Sequence, residues 1–430
     1  MSNTSLAVAR QKAESHYIAS NPNSQAHQQQ ARDYLPGGNT RTVLFYPPFP
    51  VVINHAEGAY LWDIDGHQYT DFLGEYTAGI YGHSNPTIQA AISKALSDGI
   101  ALGGPNKYEL KLAELVCARF PSIDLVRFCN SGTEANLMAI SAARATTGKE
   151  GFLAFKGGYH GGVLSYTDPD VPTNAPYPVV LSEYNDLEGT LDLIEQHADE
   201  LAAVLLEPMM GSGGGIAART DFLQALRDAT TKNNIVLIFD EVMTSRLSPG
   251  GYQRRVDIIP DITSMGKYLG GGLSFGAFGG RKDIMDHFDP TADKAYVHSG
   301  TFNNNALTMA AGVAGLSEVL TDDVISRLNQ ESDVLRQRLV DVASSHNVPF
   351  QATGVGSIIC LHFQETEIEK PDDATTPDDL RALLHLDMLD QGIYFGRRGF
   401  ISLSIPLTEA NYTQFVEAFD SFLGRYKSIL

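Results

Sequence analysis

The chain has 430 residues, with 51 Asp+Glu against 31 Lys+Arg, for a formal net charge of −20. This length fits one large α/β domain with additions, or two to three domains, and 43% hydrophobic with 19% charged residues excludes a disordered or fibrous chain. The negative charge argues against a nucleic-acid partner, whose phosphates need clustered Lys and Arg.

The N-terminal MSNTSLAVARQKAESHYIAS has no apolar signal core and, with Glu14 and the later QAHQQQARDYLPGG, reads as an ordinary polar helix. No run reaches the roughly 18 apolar residues of a membrane span. Cys117, Cys129 and Cys360 are too few for a disulfide framework and fit no zinc spacing, so no metal is expected. A reduced, cytoplasmic protein without membrane contact is the expectation. Residues 1–50 end in Pro36-Gly37-Gly38 and Pro47-Pro48-Phe49-Pro50, the composition of an arm laid over something else. Short strand signals follow, VVINH and AYLWDIDG, with Asp65-Gly66 as a turn.

From about residue 85 helical and strand-like stretches alternate, the pattern of a parallel sheet covered by helices. The helices include NPTIQAAISKALSDG and YELKLAELVCARF. The expected strands are 125–130, 151–155, 202–208, 234–242 and 262–266. A largely helical stretch covers 312–340, strands are expected near 355–363 and 400–405, and a closing helix starts at Glu409. The acidic stretch 364–379 reads as a solvated loop.

Four features of the middle segment carry chemistry. Ser131-Gly132-Thr133-Glu134 follows a strand and opens a helix running to Gly148. Helix N-termini offer unpaired N–H groups and partial positive charge, so this is a phosphate site or simply a capped helix. Asp240 ends the apolar run Ile235–Phe239, at the strand end where α/β sheets bind ligands. It is a partner for a cation or a loop cap. Lys267 follows strand 262–266 and precedes a glycine-rich bend. Desolvation there would make its amine a nucleophile, whereas a snorkelling lysine would be inert. Gly157-Gly158-Tyr159-His160-Gly161-Gly162 puts a ring at the sheet edge, for stacking on a flat ligand or as part of an ordinary turn. GGGLSFGAFGG lacks the strand–GxGxxG–helix arrangement of a dinucleotide loop and reads as strand. Together, a phosphate cradle, an anion, a carbonyl-trapping amine and a stacking ring match pyridoxal 5′-phosphate.

SGTEAN, GGYHGG, LLEPM, FDEVMTSR, GKYLGGGLSFGAFGG and HSGTFNNN occur in the order seen in class III aminotransferases of fold type I, and the chain resembles that family from about Tyr34 to its end. RTVLFYPPFP, EYTAGIYGHS, GTFNNNALTMAAG and YFGRRGF resemble the β-phenylalanine aminotransferases within the branch that also holds glutamate-1-semialdehyde aminomutases. The aminomutases differ after Pro36-Gly37-Gly38 and after Gly300-Thr301. The resemblance implies an α/β fold-type-I transferase, with a mostly parallel central sheet covered by helices and a smaller α+β domain. Its expected divisions are an arm with small-domain strands (1–69), a large cofactor domain (70–315) and a C-terminal small domain (316–430).

The resemblance further implies transfer of an amino group from an aromatic β-amino acid to a 2-oxo acid such as 2-oxoglutarate or pyruvate. An aminomutase-like isomerase and a broad ω-amine transaminase are the alternatives. Lys267 would be the Schiff-base lysine. Asp240 would pair with the pyridine nitrogen, Val242 would pack opposite Tyr159, and Ser131, Gly132 and Thr133 would hold the phosphate. His160 would sit beside Tyr159 at the cofactor, and Glu207 near it unless it caps a loop. Thr301 would reach the phosphate of a neighbouring subunit in a homodimer. Arg41 and Arg398 would meet substrate carboxylates, with Tyr76, Phe395 and Phe400 around an apolar side chain.

Overall fold

The computed structural model describes residues 5–168 and 170–430. Its centre is a seven-stranded sheet in the order Leu125–Cys129, Gly276–Gly280, Ile262–Gly266, Val236–Asp240, Leu201–Leu206, Gly151–Phe155, Val179–Ser182. Gly276–Gly280 runs antiparallel to both neighbours, and the remaining pairs are parallel. The inner strands are buried on both faces, as parallel sheets under helices must be. Alternation then decides what meets what. Val236 and Ile238 pack with Ala135, Ala139 and Ile140 of the helix Gly132–Thr147, while Leu237 and Phe239 pack with Phe222 and Leu226 on the other side. Each such large side chain contributes roughly 1.5–3 kcal/mol by leaving water.

The residues from 53 to 71 do not join this sheet. Ile53–Glu57, Tyr60–Asp63 and Gln68–Asp71 form a meander whose last strand pairs in parallel with Ile393–Tyr394. The N-terminal segment is thereby stitched to the end of the chain. A three-stranded sheet, Gln351–Thr353, Ile358–His362 and Phe400–Ser402, and the helices Asp322–Ser345, Asp378–Asp390 and Glu409–Tyr426 complete that part.

Several boundaries differ from the sequence reading for local reasons. Val236–Asp240 starts late because Asn234 turns the chain with φ +50°. Leu201–Leu206 stops before Pro208, which has no N–H to donate. The helical stretch near 312–340 is two helices, Ala306–Ala314 and Asp322–Ser345. A π-helical turn over Gly315–Val319 separates them, and Thr321 caps the second by accepting from the Val324 N–H. The acidic loop is not only solvated. Its Pro371 lies over the glycine loops of the large sheet, where a Cβ on Gly157 or Gly213 would come within 2.3 or 2.9 Å of Pro371 Cγ.

One charge pins these parts together. Arg246, 1% exposed, donates to Ser357 Oγ (3.1 Å), Ser402 Oγ (2.8 Å), the Leu403 carbonyl and the Thr77 carbonyl (3.4 Å). Burial lowers its pKa to about 10.

Candidate active site

Ser131 to Thr133, Tyr159, His160, Glu207, Asp240 and Lys267 all lie at or just after the C-terminal ends of strands of the large sheet. Asp240 continues the alternation of Val236 and Ile238, so its carboxylate faces the helix Gly132–Thr147. There Oδ2 accepts from Asn136 Nδ2 (2.7 Å) and His160 Nδ1 (2.8 Å), while Oδ1 accepts from the Val242 N–H (3.0 Å). The carboxylate is 4% exposed and His160 3%. An ionised carboxylate only accepts, so His160 carries its proton on Nδ1. His160 thus lies under Asp240, leaving Tyr159, 46% exposed, as the ring available for stacking.

The helix Gly132–Thr147 begins with a reciprocal cap. Ser131 Oγ accepts from the Glu134 N–H, and Glu134 returns to the Asn130 N–H (2.6 Å). Close approach explains the glycines around it. A Cβ on Gly132 would lie 2.8 Å from Val242 Cγ2, and one on Gly161 (φ +126°) would lie 2.2 Å from Thr133 Oγ1. Val242 also approaches Gly266, 3.4 Å from a Cβ placed there. It therefore ties the helix N-terminus to the residue preceding Lys267.

Lys267 opens a 3₁₀ turn directly after the strand Ile262–Gly266, with φ +56°. Its Nζ donates to the Tyr76 carbonyl. Burial lowers its pKa to about 8, against the pull of Asp240 and Glu207 upward. Tyr76 itself belongs to a run, Glu75, Tyr76 and Thr77, with φ of 48°, 51° and 81°. Consecutive left-handed non-glycine residues are costly, and such strain concentrates at functional sites.

Glu207 follows the strand Leu201–Leu206. Its oxygens accept from the Tyr159 N–H and the Gly211 N–H, both at 3.0 Å. Burial raises its pKa to about 7. Arg41 pairs with Glu75, and Arg398, exposed, donates to the Ser212 carbonyl at 3.5 Å. Both arginines lie near enough to Tyr76 to oppose the rise in its phenol pKa that burial causes. Tyr76 stacks on Phe400, with ring centroids 5.5 Å apart. Phe395 is not at the site. It is 1% exposed in the core against Phe415, because in the chain around Arg398 it points inward. Thr301 is exposed, and its neighbour Asn303 accepts from Asn130 Nδ2 at 2.9 Å.

Asn136, Glu75 and Arg246 escaped the sequence reading as site residues. Asn136 and Arg246 lie within SGTEAN and FDEVMTSR, so position in a motif was the available signal. Glu75 opens EYTAGIYGHS, but nothing in that stretch shows its pairing with Arg41.

This donor set suits pyridoxal 5′-phosphate. A buried carboxylate already meets three donors, a desolvated amine stands within its field, and a helix N-terminus abuts both through Val242. The family model "Aminotransferase class-III" matches residues 45–423. The chain is 46% identical to the β-phenylalanine transaminase of Variovorax paradoxus, covering 100% of this chain and 99% of that one. The crystal structure of the β-phenylalanine aminotransferase from that organism superposes with a TM-score of 0.96 over 98% of each chain. A glutamate-1-semialdehyde 2,1-aminomutase of Chlorobium phaeobacteroides is 36% identical over 91% of this chain and 95% of its own. This chain therefore belongs to the class III aminotransferases, enzymes that depend on pyridoxal 5′-phosphate.

Proposed function

We propose that the enzyme moves the amino group of an aromatic β-amino acid to a 2-oxo acid such as 2-oxoglutarate or pyruvate. The observation that carries this reading is the placement of Arg41 and Arg398 around Tyr76, whose carbonyl accepts from Lys267 Nζ. A guanidinium fork grips a carboxylate bidentately, and a transaminase must seat an amino acid and an oxo acid in turn. The Tyr76 ring, backed by the buried Phe400, offers apolar surface beside that amine. The full-length relative named for β-phenylalanine supports the donor class.

Bound pyridoxal phosphate supplies an aldehyde for amines and a ring that takes up the electrons left on carbon when a proton departs. In this reading Ser131, Gly132 and Thr133 would hold the phosphate, Asp240 would pair with the ring nitrogen, and Val242 and Tyr159 would pack against the ring. His160 and Asn136 orient the Asp240 carboxylate. Lys267 Nζ would hold the cofactor through its amine and, as a free amine, would serve as the base that takes up and returns the proton. Its lowered pKa keeps a usable share of neutral amine near pH 8.

The active unit in this reading is a homodimer in which Thr301 meets the partner's phosphate. Exposed Leu110 (66%), Val297 (87%) and Phe302 (63%) fit a covered face. A reduced, cytoplasmic setting suits three free cysteines. Among the described residues no helix is long and apolar enough to cross a membrane.

The test is a panel of β-amino acids and plain arylalkyl amines against 2-oxoglutarate and pyruvate, with Arg41→Ala and Arg398→Ala beside the wild type. Each variant should lose roughly 2–4 kcal/mol of transition-state binding for acids. Plain amines should suffer far less. Wild-type ratios in both variants would reduce the donor to a primary amine of any kind.

A further inference from the structure

Glu207 is a buried carboxylate whose two oxygens go to two different loops. One takes the backbone N–H of Tyr159, in the glycine loop after the strand Gly151–Phe155. The other takes the N–H of Gly211, in the hairpin between Met209–Met210 and Ile216–Ala217. We propose that Glu207 is a positioning residue for substrate recognition, which fixes the Arg398 guanidinium relative to the Tyr159 ring by holding both loops at once.

The connection runs through a short, tight segment. Ser212, next to the held Gly211 amide, presents the carbonyl that accepts from Arg398 Nη1. Beyond it the Gly214 carbonyl accepts from Thr353 Oγ1 (2.5 Å) and His362 Nε2 (3.0 Å), on the two strands of the C-terminal sheet that precede Arg398. The Gly215 N–H returns to the Met210 carbonyl (3.0 Å), closing the loop on itself. Met243, three residues past Asp240, packs under it, 2.5 Å from a Cβ placed on Gly211. The loop therefore has few ways to move except as a unit. Glu207 supplies its tie to the stacking ring, while Thr353, His362 and Arg398 supply its ties to the substrate side. Both oxygens are occupied by amides, so the carboxylate acts through the loops. A carboxylate serves both amides, whereas a carboxamide has one accepting oxygen and would turn its NH₂ toward the other N–H.

This assignment rests on the reading of Arg398 as a carboxylate receptor, and the experiment separates the two. The holoenzymes of Glu207→Gln, Arg398→Ala and the double variant are compared for the Michaelis constant with 2-oxoglutarate and the inhibition constant of glutarate. Visible circular dichroism of the bound cofactor reports on Tyr159. Glu207→Gln should raise both constants about tenfold, with a smaller loss in kcat and an altered dichroic band. In the Arg398→Ala background the same substitution should leave both constants where Arg398→Ala put them. Glu207→Asp, which keeps the charge on a stem too short to reach both amides, should repeat the effect if the Gln variant folds poorly.

An equal rise in both backgrounds overturns the assignment, as does lost thermal stability with unchanged glutarate binding. If Arg398→Ala leaves glutarate binding intact, the carboxylate reading falls and the assignment with it. If Arg398→Ala weakens glutarate while Glu207→Gln does not, only the assignment falls.

Discussion

Replacing Asp240 by asparagine separates charge from shape at the centre of the site. Three N–H groups meet this carboxylate, two at Oδ2 and one at Oδ1. An asparagine that puts its carbonyl oxygen in the Oδ2 position keeps Asn136 and His160 and turns its NH₂ toward the Val242 N–H. The Val242 N–H and the new NH₂ then both lack an acceptor, at a cost of about 1–3 kcal/mol of stability for each. The loss of the anion acts on rate. A preorganised charge in a water-poor site contributes at least ~3 kcal/mol, so the amine half-reaction should slow by about a hundredfold or more. Asp240 also pulls the Lys267 pKa upward against burial, so the variant's amine should deprotonate at lower pH than the wild type's. Stopped-flow half-reactions on protein of known cofactor content measure the first effect, and the pH dependence of cofactor capture by apoenzyme measures the second. A near-wild-type rate in fully loaded Asp240→Asn enzyme would show that the carboxylate only caps its loop.

Lys267→Ala should abolish the yellow colour of the holoenzyme and nearly all turnover. In the wild-type apoprotein the lysine's folded pKa, about 8, lies below its unfolded value of 10.5. Between these values this lysine binds more protons in the unfolded chain, so its own contribution to stability should rise with pH across about pH 8–10.5. Lys267→Met should flatten that rise in thermal melts, and an unchanged slope would place its origin elsewhere. Gly161→Ala combines a left-handed φ with a Cβ 2.2 Å from Thr133 Oγ1. Cofactor affinity by equilibrium dialysis should fall roughly five- to 150-fold, the effect of displacing the phosphate loop by a strain of about 1–3 kcal/mol. Sedimentation should find a dimer whose dissociation on dilution tracks loss of activity. A monomer with full turnover would refute the shared site.

What the sequence revealed was what local physics encodes. Strand–turn–helix alternation, the glycine-flanked Tyr159 loop and the lysine after Ile262–Gly266 all lie in contiguous residues, and the site built from them stands where the sheet ends. Pairings between distant segments left no such trace. The parallel pairing of Gln68–Asp71 with Ile393–Tyr394 depends on tertiary closure. The inward turn of Phe395, beside an exposed Arg398, follows from which face of the short strand region meets the core. Glu75 became visible only with the three-residue left-handed run that brings it to Arg41. The seat of Pro371 over the glycine loops stayed hidden because composition marks a segment as polar without saying what it lies against.

The buried Arg246 has a practical consequence for redesign of the substrate pocket. Its four acceptors are all uncharged oxygens, drawn from the Thr77 turn and from the C-terminal sheet. With no counter-ion to screen, this seam should be nearly indifferent to ionic strength, unlike the surface pairs around it. The same guanidinium holds the Thr77 carbonyl while Lys267 holds the carbonyl of Tyr76 next to it. Widening the pocket by remodelling residues 74–77 would therefore disturb both the seam and the amine.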